Sequence, residues 1–528
     1  MGKELEFLAD MAVKGKMHRR DFLGRASAFG LTAAMAGTML STRVQATGPV
    51  SGGTMKIGIQ GGASTDSLDP ATASNSTATQ ILRMWGEPLV ELNEEGGLDP
   101  VLAEAYSAST DAKTWTFKIR PGVTFSDGKS LTADDVQATF ERHTGADTKS
   151  GALGVLRGIS DIRTNGDSVV FTLDAANADL PYLLADYHLM IQPNGGKDAP
   201  AAAIGTGPYV IKAHEPGVRT VFEKNPNHWR SGWGHAGTIE LYVINDDTAR
   251  MSALQSGVVD IVNRVPPKLA SLIGRAPNVT VHSVPSAGHY TFIMHVDTAP
   301  FDNKDLRLAL KYGVDRQEMV DKILFGNGSI GNDTPINSTY PLYSDDIEQR
   351  QYDPDKAAFH YKASGHEGAV LLRTSENSFP GAPDASQIFQ QNLAKAGIQL
   401  DLAMMPDDGY WSEVWNKQPF CTSYWGGRPV QDAMFATAYL STADWNDTRF
   451  FNEQFDQLLF AARAELDEAK RKQMYRDMSV ILRDDGGLIC PMFNNFIDAT
   501  SDRIAGWGPS QGFGMMNHYA PMKMWVAS

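Results

Sequence analysis

Apolar and polar residues alternate along Trp115-Thr116-Phe117-Lys118-Ile119, the period of a half-buried strand, and Ser126-Asp127-Gly128-Lys129 supplies the turn that follows. Thr54 to Ile59 reads as an opening strand and Thr77 to Trp85 as a helix. Thr132 is placed to cap a helix whose first turn carries Asp134 and Asp135, with Val136 and Phe140 four apart on one face. Val169 to Leu173, Val218 to Glu223 and Thr238 to Ile244 predict strands, and Thr248 to Ser256 a helix closed by Gly257. Beyond Pro285 the pattern restarts: strand His289 to Val296, helices Lys304 to Tyr312 and Arg316 to Phe325, and strands Ala369 to Leu372, Gln399 to Met404 and Phe420 to Tyr424. Helices at Ser386 to Ala396 and Tyr410 to Trp415 separate these strands, and a helical region, Glu453 to Arg483, gives way at Gly486-Gly487 to a strand, Leu488 to Phe493. The alternation predicts an α/β fold. No 20–50 residue repeat marks a solenoid.

At 528 residues the chain exceeds one ordinary hydrophobic core and should divide into two or three domains. Hydrophobic residues at 42% and charged residues at 21% fit neither wholesale disorder nor a membrane bundle. The first 46 residues read as an export signal. His18-Arg19-Arg20-Asp21-Phe22-Leu23-Gly24 leads into a weakly apolar stretch, Ala26 to Leu40, and resembles a twin-arginine signal. Val44-Gln45-Ala46 offers small residues for cleavage before Thr47. The alternative is a basic amphipathic helix or a membrane anchor, although the apolar stretch would reach only ~22 Å as a helix. With no cysteine near that point, a lipid anchor is not expected and the product should be free in the periplasm. Loss of residues 1–46 reduces 47 basic and 62 acidic side chains to 40 and 58, a mature charge of −18. Such a surface repels nucleic acid and anionic lipid, leaving a small ligand or a protein as partner. Cys421 and Cys490 are either a disulfide or, the preferred reading, two buried thiols on separate strands.

Phrases in a fixed order run down the chain: Ser67-Leu68-Asp69-Pro70, Glu87-Pro88-Leu89-Val90, Leu98 to Glu104, Trp115 to Gly128 and Leu131 to Val136. They continue with Ile204-Gly205-Thr206-Gly207-Pro208-Tyr209, Asn225 to Arg230, Ala253 to Asp260, Pro300 to Asn303, Leu306 to Leu310, Val314 to Arg316 and Tyr352 to Ala357. The ordered set resembles the dipeptide/oligopeptide-binding receptors of ABC importers, solute-binding family 5, over essentially the whole mature chain. In Gly205-Thr206-Gly207-Pro208 the glycines are expected to permit backbone angles closed to other residues, making a turn rather than a phosphate cradle.

The resemblance implies a two-lobed periplasmic binding protein fold of type II, cluster C-like, that closes like a hinge on a ligand between its lobes. The expected division is a signal at 1–46, a first lobe at 47–284 with an extra subdomain at about 86–203, a second lobe at 285–486, and a return segment at 487–528. Crossings between lobes are expected near Val284-Pro285-Ser286 and near Asp485 to Ile489. The expected partners are a peptide-like or anionic small molecule and ABC permease subunits of the inner membrane, with the protein itself a monomer.

Two catalytic patterns are set aside. Gly508-Pro509-Ser510-Gln511-Gly512 has the G-x-S-x-G form, but no helix pattern follows it and His518 is too near for the expected partner order. Gly232 to Gly237 fits a dinucleotide fingerprint yet precedes a strand. No catalytic residue, cofactor or metal is expected, since His289 and His295 would stand ~20 Å apart on one strand, too far for joint chelation with His282 nearby.

The segment richest in ligand chemistry is Ser423-Tyr424-Trp425-Gly426-Gly427-Arg428-Pro429-Val430-Gln431-Asp432. In peptide-binding relatives the corresponding loop has a tryptophan followed three residues later by an aspartate that holds the peptide amino group. Here Arg428 follows Trp425, exchanging that acid for a planar cation matched to carboxylate or phosphate. Either Arg428 clamps an anionic ligand, or it snorkels to solvent or is paired with a neighbouring acid, and Asp432 either meets an amine or neutralises Arg428. Candidate ligand residues are Trp425, Arg428, Gly427, Asp432 and Tyr424, with Ser64 and Thr65 on the opposing first-lobe loop and Tyr410, His188 and Tyr290 from position. A secreted hydrolase, or a sensor or chaperone-like protein on the same fold, are the rival readings.

Overall fold

The computed structural model describes residues 48–94, 96–145, 147–406, 410–508, 516 and 519–527. The expected signal and its cleavage point, residues 509–512 of the set-aside serine motif, and His518 lie outside the described residues. The first described strand is β1 (Thr54–Ile59), whose Met55, Ile57 and Ile59 are buried. Asn75 rather than Thr77 begins the first helix: its side chain accepts the Ala78 N–H at 2.9 Å and caps α1 (Ser76–Trp85).

A four-stranded antiparallel sheet in the order β2 (Ala103–Ala108), β3 (Thr114–Ile119), β5 (Ser168–Leu173), β4 (Ile159–Asn165) then forms a unit of its own. It packs on α2 (Ala133–Thr144), which Thr132 caps as expected, and the Asp135 carboxylate accepts the Thr132 N–H in return to complete a capping box. Phe117, Phe140 and Phe171 meet edge to face in its core, with centroids 4.9–5.5 Å apart.

The chain returns to the main sheet through β6 (Tyr209–Glu215), β7 (Arg219–Lys224), β8 (Thr238–Val243), α3 (Asp247–Gln255) and β9 (Ile261–Val262). It then enters a single long strand, β10 (Val279–Met294). The second lobe follows, with α4 (Lys304–Tyr312), α5 (Arg316–Lys322), α6 (Pro354–Ser364), β11 (Val370–Thr374), α7 (Ala382–Ala394), β12 (Leu400–Met404) and β13 (Phe420–Trp425). Helices α8 (Gln431–Ala438), α9 (Glu453–Ala464) and α10 (Glu468–Asp485) lead to a second long strand, β14 (Leu488–Ser501). The helical region expected from Glu453 to Arg483 is thus two helices. Asp467 breaks it, because its carboxylate accepts the Ala469 and Lys470 N–H groups and starts α10 afresh.

One sheet runs through both lobes in the order β12-β11-β13-β10-β14-β9-β1-β8-β7-β6. Its two lobes are joined by the antiparallel pair β10 and β14, whose register slips between Pro285 and His289. Val279 of β10 and Ile497 and Ala499 of β14 pack in a first-lobe core with Met251 and Leu254, whereas Ala287, Ile293, Leu488, Cys490 and Phe493 pack in a second-lobe core with Met434 and Phe455. The hand-over between cores therefore falls between Val281 and Ala287 on β10 and between Phe493 and Ile497 on β14, further along the chain than Asp485 to Ile489. Both strands are longer than their apolar runs because Pro285-Ser286 and Asn494-Asn495 interrupt the hydrophobic pattern while the backbone pairing continues: Pro285 lies opposite Asn495.

Gly205 and Gly207 correct one expectation, since neither adopts a left-handed backbone. They are required by close approach: a Cβ on Gly205 would lie 2.4 Å from the Trp85 carbonyl oxygen, and one on Gly207 2.6 Å from the Trp85 carbonyl carbon. Gly128, at φ +89°, does serve its turn by conformation. Cys421 and Cys490 are free, buried, and carried on β13 and β14 with β10 between them.

Candidate functional site

Trp425 ends β13 opposite His289 of β10, so the loop Gly426 to Val430 leaves the sheet beside the slipped register of the lobe connection. Gly427 lies so close to that strand that a Cβ would stand 2.4 Å from the Ala287 methyl. The Arg428 backbone N–H donates to the Tyr340 hydroxyl at 3.2 Å, and its guanidinium stacks 5.9 Å from the Trp425 ring while donating to the Gly426 and Gly427 carbonyls at 3.2 and 3.3 Å. Burial draws the Arg428 pKa below the usual arginine value, and the groups acting on it electrostatically are the hydroxyls of Tyr340 and, from the first lobe, Tyr187. Among the described residues no carboxylate pairs with Arg428.

Trp425 is a buried ring held at its polar edge. Its Nε1 donates to Asp447 Oδ2 at 3.1 Å, and Trp415 Nε1 donates to the same oxygen at 3.0 Å. Trp415 and Trp445 meet Trp425 with ring centroids 6.2 and 6.0 Å away. Burial lifts the Asp447 carboxyl to about 7, against the opposing effect of the two indole donors. His289 is fully buried; its Nδ1 lies 3.0 Å from the Ala287 carbonyl, and burial lowers its pKa to about 4, with Arg428 adding to the effect.

The remaining sequence-derived candidates are placed as follows. Asp432 is buried in the first turn of α8 and is bound by both oxygens to Arg463, at 2.9 and 3.1 Å, so it does not neutralise Arg428. Desolvation raises the Asp432 carboxyl to about 6, opposed chiefly by Arg463. Tyr410 is buried and donates to the Thr422 carbonyl at 2.8 Å. Both His188 nitrogens are occupied, Nδ1 at 2.6 Å from Asp186 and Nε2 at 2.9 Å from the Ala73 carbonyl. Tyr290 stacks on Phe379 with centroids 4.4 Å apart, and Tyr424 is half exposed, edge-on to Trp411. Ser64 and Thr65 are exposed on a first-lobe loop that packs against Gly217. The histidines discussed for a metal occupy separate surroundings: His282 stacks on Trp507 at 4.2 Å and bonds Thr500, away from His289.

Sequence reasoning missed Tyr340, Tyr187, Trp415 and Asp447. The tryptophans at 411, 415, 425 and 445 were a compositional signal for an aromatic cluster, but nothing local to Asp447 advertised its role.

A family model described as "Bacterial extracellular solute-binding proteins, family 5 Middle" matches residues 97–447. A glutathione-binding protein, GsiB, from Pectobacterium atrosepticum is 26% identical over 464 residues, spanning 84% of this chain and 90% of that one. The PBP AgaA of A. tumefaciens R10, solved in complex with agropinic acid, superposes with a TM-score of 0.72 at 24% identity over 90% of this chain and 99% of that one. The ABC transporter-associated periplasmic binding protein DppA of Helicobacter pylori, in complex with the peptide STSA, superposes with a TM-score of 0.71 at 19% identity over 92% of this chain and all of that one.

Proposed function

The chain belongs to the bacterial extracellular solute-binding proteins of family 5, and on that premise we propose that it is the periplasmic receptor of an ABC importer for a small, anionic, peptide-like solute. It performs no chemistry: it captures the solute between two lobes and presents a closed form to permease subunits as a monomer. We place the first lobe at 47–284, with its subdomain at about 86–203, the second lobe from 285 to the end of its core on β14 at Phe493, and the return segment beyond it, with the hinge where β10 and β14 change cores. Trp425 forms a flat wall, Gly427 lets the loop pack on Ala287 of β10, and Arg428 clamps an anionic group. Exposed Tyr424, Ser64 and Thr65 and half-buried Tyr290 border the site.

The observation that carries this reading is Arg428, a partly desolvated guanidinium whose described neighbours are carbonyls, hydroxyls and an indole rather than a carboxylate. A buried cation without a counter-charge is costly, so a carboxylate or phosphate on the solute offsets that cost. Relatives named for glutathione and for agropinic acid point to the same class of carboxylate-bearing solute. Native mass spectrometry of protein purified from periplasm identifies the co-purified solute, and calorimetry with it, taking glutathione as the first probe, tests the clamp. Truncating one partner of a buried charge pair costs ~2–5 kcal/mol, so Arg428→Ala should weaken binding by roughly 30-fold or more, and Arg428→Lys should recover only part of the loss. Unchanged affinity in a correctly folded Arg428→Ala protein removes the residue from the site.

Export through the twin-arginine route is part of the same reading, with Arg19 and Arg20 as the recognised pair and Thr47 as the mature N-terminus. An Arg19→Lys/Arg20→Lys protein should remain in the cytoplasm. Its normal accumulation in the periplasm would assign the leader to another route.

A further inference from the structure

Asp179 follows β5 in the first-lobe subdomain, next to Leu180 and Leu184 of that subdomain's core. It is almost completely buried, yet its partners come from the second lobe. Asp179 Oδ1 pairs with the Arg471 guanidinium, and Oδ2 accepts from the Tyr475 hydroxyl at 3.1 Å. Arg471 also donates to that hydroxyl at 3.3 Å, and both residues are buried on α10. One residue earlier, the Ala178 N–H donates to the Arg463 carbonyl at the end of α9, 2.8 Å away. The Arg463 side chain is the one that grips Asp432, in the first turn of α8, the helix that follows the loop Gly426 to Val430. A continuous run of contacts thus links the first-lobe subdomain through α9 and α10 to the candidate ligand loop.

We propose that Asp179, Arg471 and Tyr475, joined through Arg463 to Asp432, form an interlobe latch that stabilises the closed protein and couples closure to the conformation of the ligand loop. The inference rests on the hinged-lobe reading above and goes beyond it by naming what holds the lobes at a distance from the hinge strands.

Physical grounds for a switchable contact lie in the chemistry. A carboxylate and a guanidinium that leave water when the lobes meet regain much of that loss in each other, so the intact pair contributes modestly while its geometry is demanding. Removing one partner leaves the other desolvated and unpaired, and opening the lobes relieves this by rehydrating it. Loss of either partner should therefore favour the open form. Asp432→Asn should act in the same direction but less strongly, because it weakens the hold on Arg463 without touching the pair itself.

Pulsed electron paramagnetic resonance can read the lobe separation, with spin labels at Asp167→Cys on the exposed β4–β5 turn and Gln391→Cys on the exposed face of α7. The two native cysteines are buried, so labelling is directed to the introduced ones. Each protein is measured as purified and after solute is stripped by dialysis. The latch predicts that Asp179→Asn and Arg471→Met each lower the ratio of short to long separations in the as-purified protein by roughly ten-fold or more, in line with loss of one partner of a buried pair. Arg476→Ala, which removes a pair made with Asp346 within the second lobe, should leave the distribution unchanged. If stripping lengthens the wild-type separation but Asp179→Asn matches wild type in both states, with its circular dichroism intact, the latch is overturned and the hinge stands. If stripping changes nothing and Asp179→Asn changes nothing, both fall.

Discussion

Asp447 is fully buried beside Trp425 at the candidate site. It orients Trp425 and Trp415 through one oxygen, and burial holds its carboxyl at about 7. An unfolded aspartate titrates near 4, so folding takes up a proton between those values. The resulting stabilisation is fully present below about pH 4 and is lost as the pH rises through 7. Comparing wild type with Asp447→Asn by urea unfolding at pH 5 and pH 8, the wild type should lose on the order of 2 kcal/mol more than the variant over that interval. Equal losses would mean that Asp447 stays ionised across the range. The spacing of Arg428 after Trp425 is visible in the sequence, whereas the contact of Asp447 with Trp425 is not, because the two lie 22 residues apart and are brought together by packing.

At the scale of elements, local signals carried most of the prediction. Thr132 with Asp135 marked the start of α2, and the alternation from Trp115 to Ile119 marked β3, because caps and two-residue periods are local physics. Elements whose bounds depend on tertiary partners were misjudged. β10 and β14 continue through prolyl and asparaginyl breaks because each supplies the other's hydrogen bonds. Gly205-Thr206-Gly207 read as a turn whose glycines serve by conformation, whereas close packing on Trp85 of α1 is what requires them. The Thr206 hydroxyl donates to Glu87 at 2.8 Å, and Glu87 also receives the Trp229 indole N–H at 2.8 Å, which gathers three separated phrases of the family pattern around one carboxylate. Gly207→Ala should therefore cost about 1–3 kcal/mol in denaturant unfolding, through overpacking against the Trp85 backbone. Gly154→Ala, where a Cβ meets nothing within 4 Å, should be neutral or slightly stabilising. Similar stability of both variants would refute the packing explanation.

For the molecule as a whole, two α/β lobes are joined by a pair of long strands, and the proposed hinge predicts that ligand binding favours a closed arrangement. Small-angle scattering should report a smaller radius of gyration at saturating solute than after stripping, and the same radius in both states would argue for a rigid site. By itself the sequence determined the α/β alternation, the restart of the pattern near Pro285 and the family, because each is written in neighbouring residues or in an ordered series of short phrases. Tertiary structure alone decided where the cores change hands along β10 and β14, that Asp432 binds Arg463 and leaves Arg428 to other partners, and that Asp179 meets Arg471 and Tyr475 nearly three hundred positions away. Those outcomes depend on which buried charges and strand edges find one another once the chain is compact, and no local pattern encodes that choice.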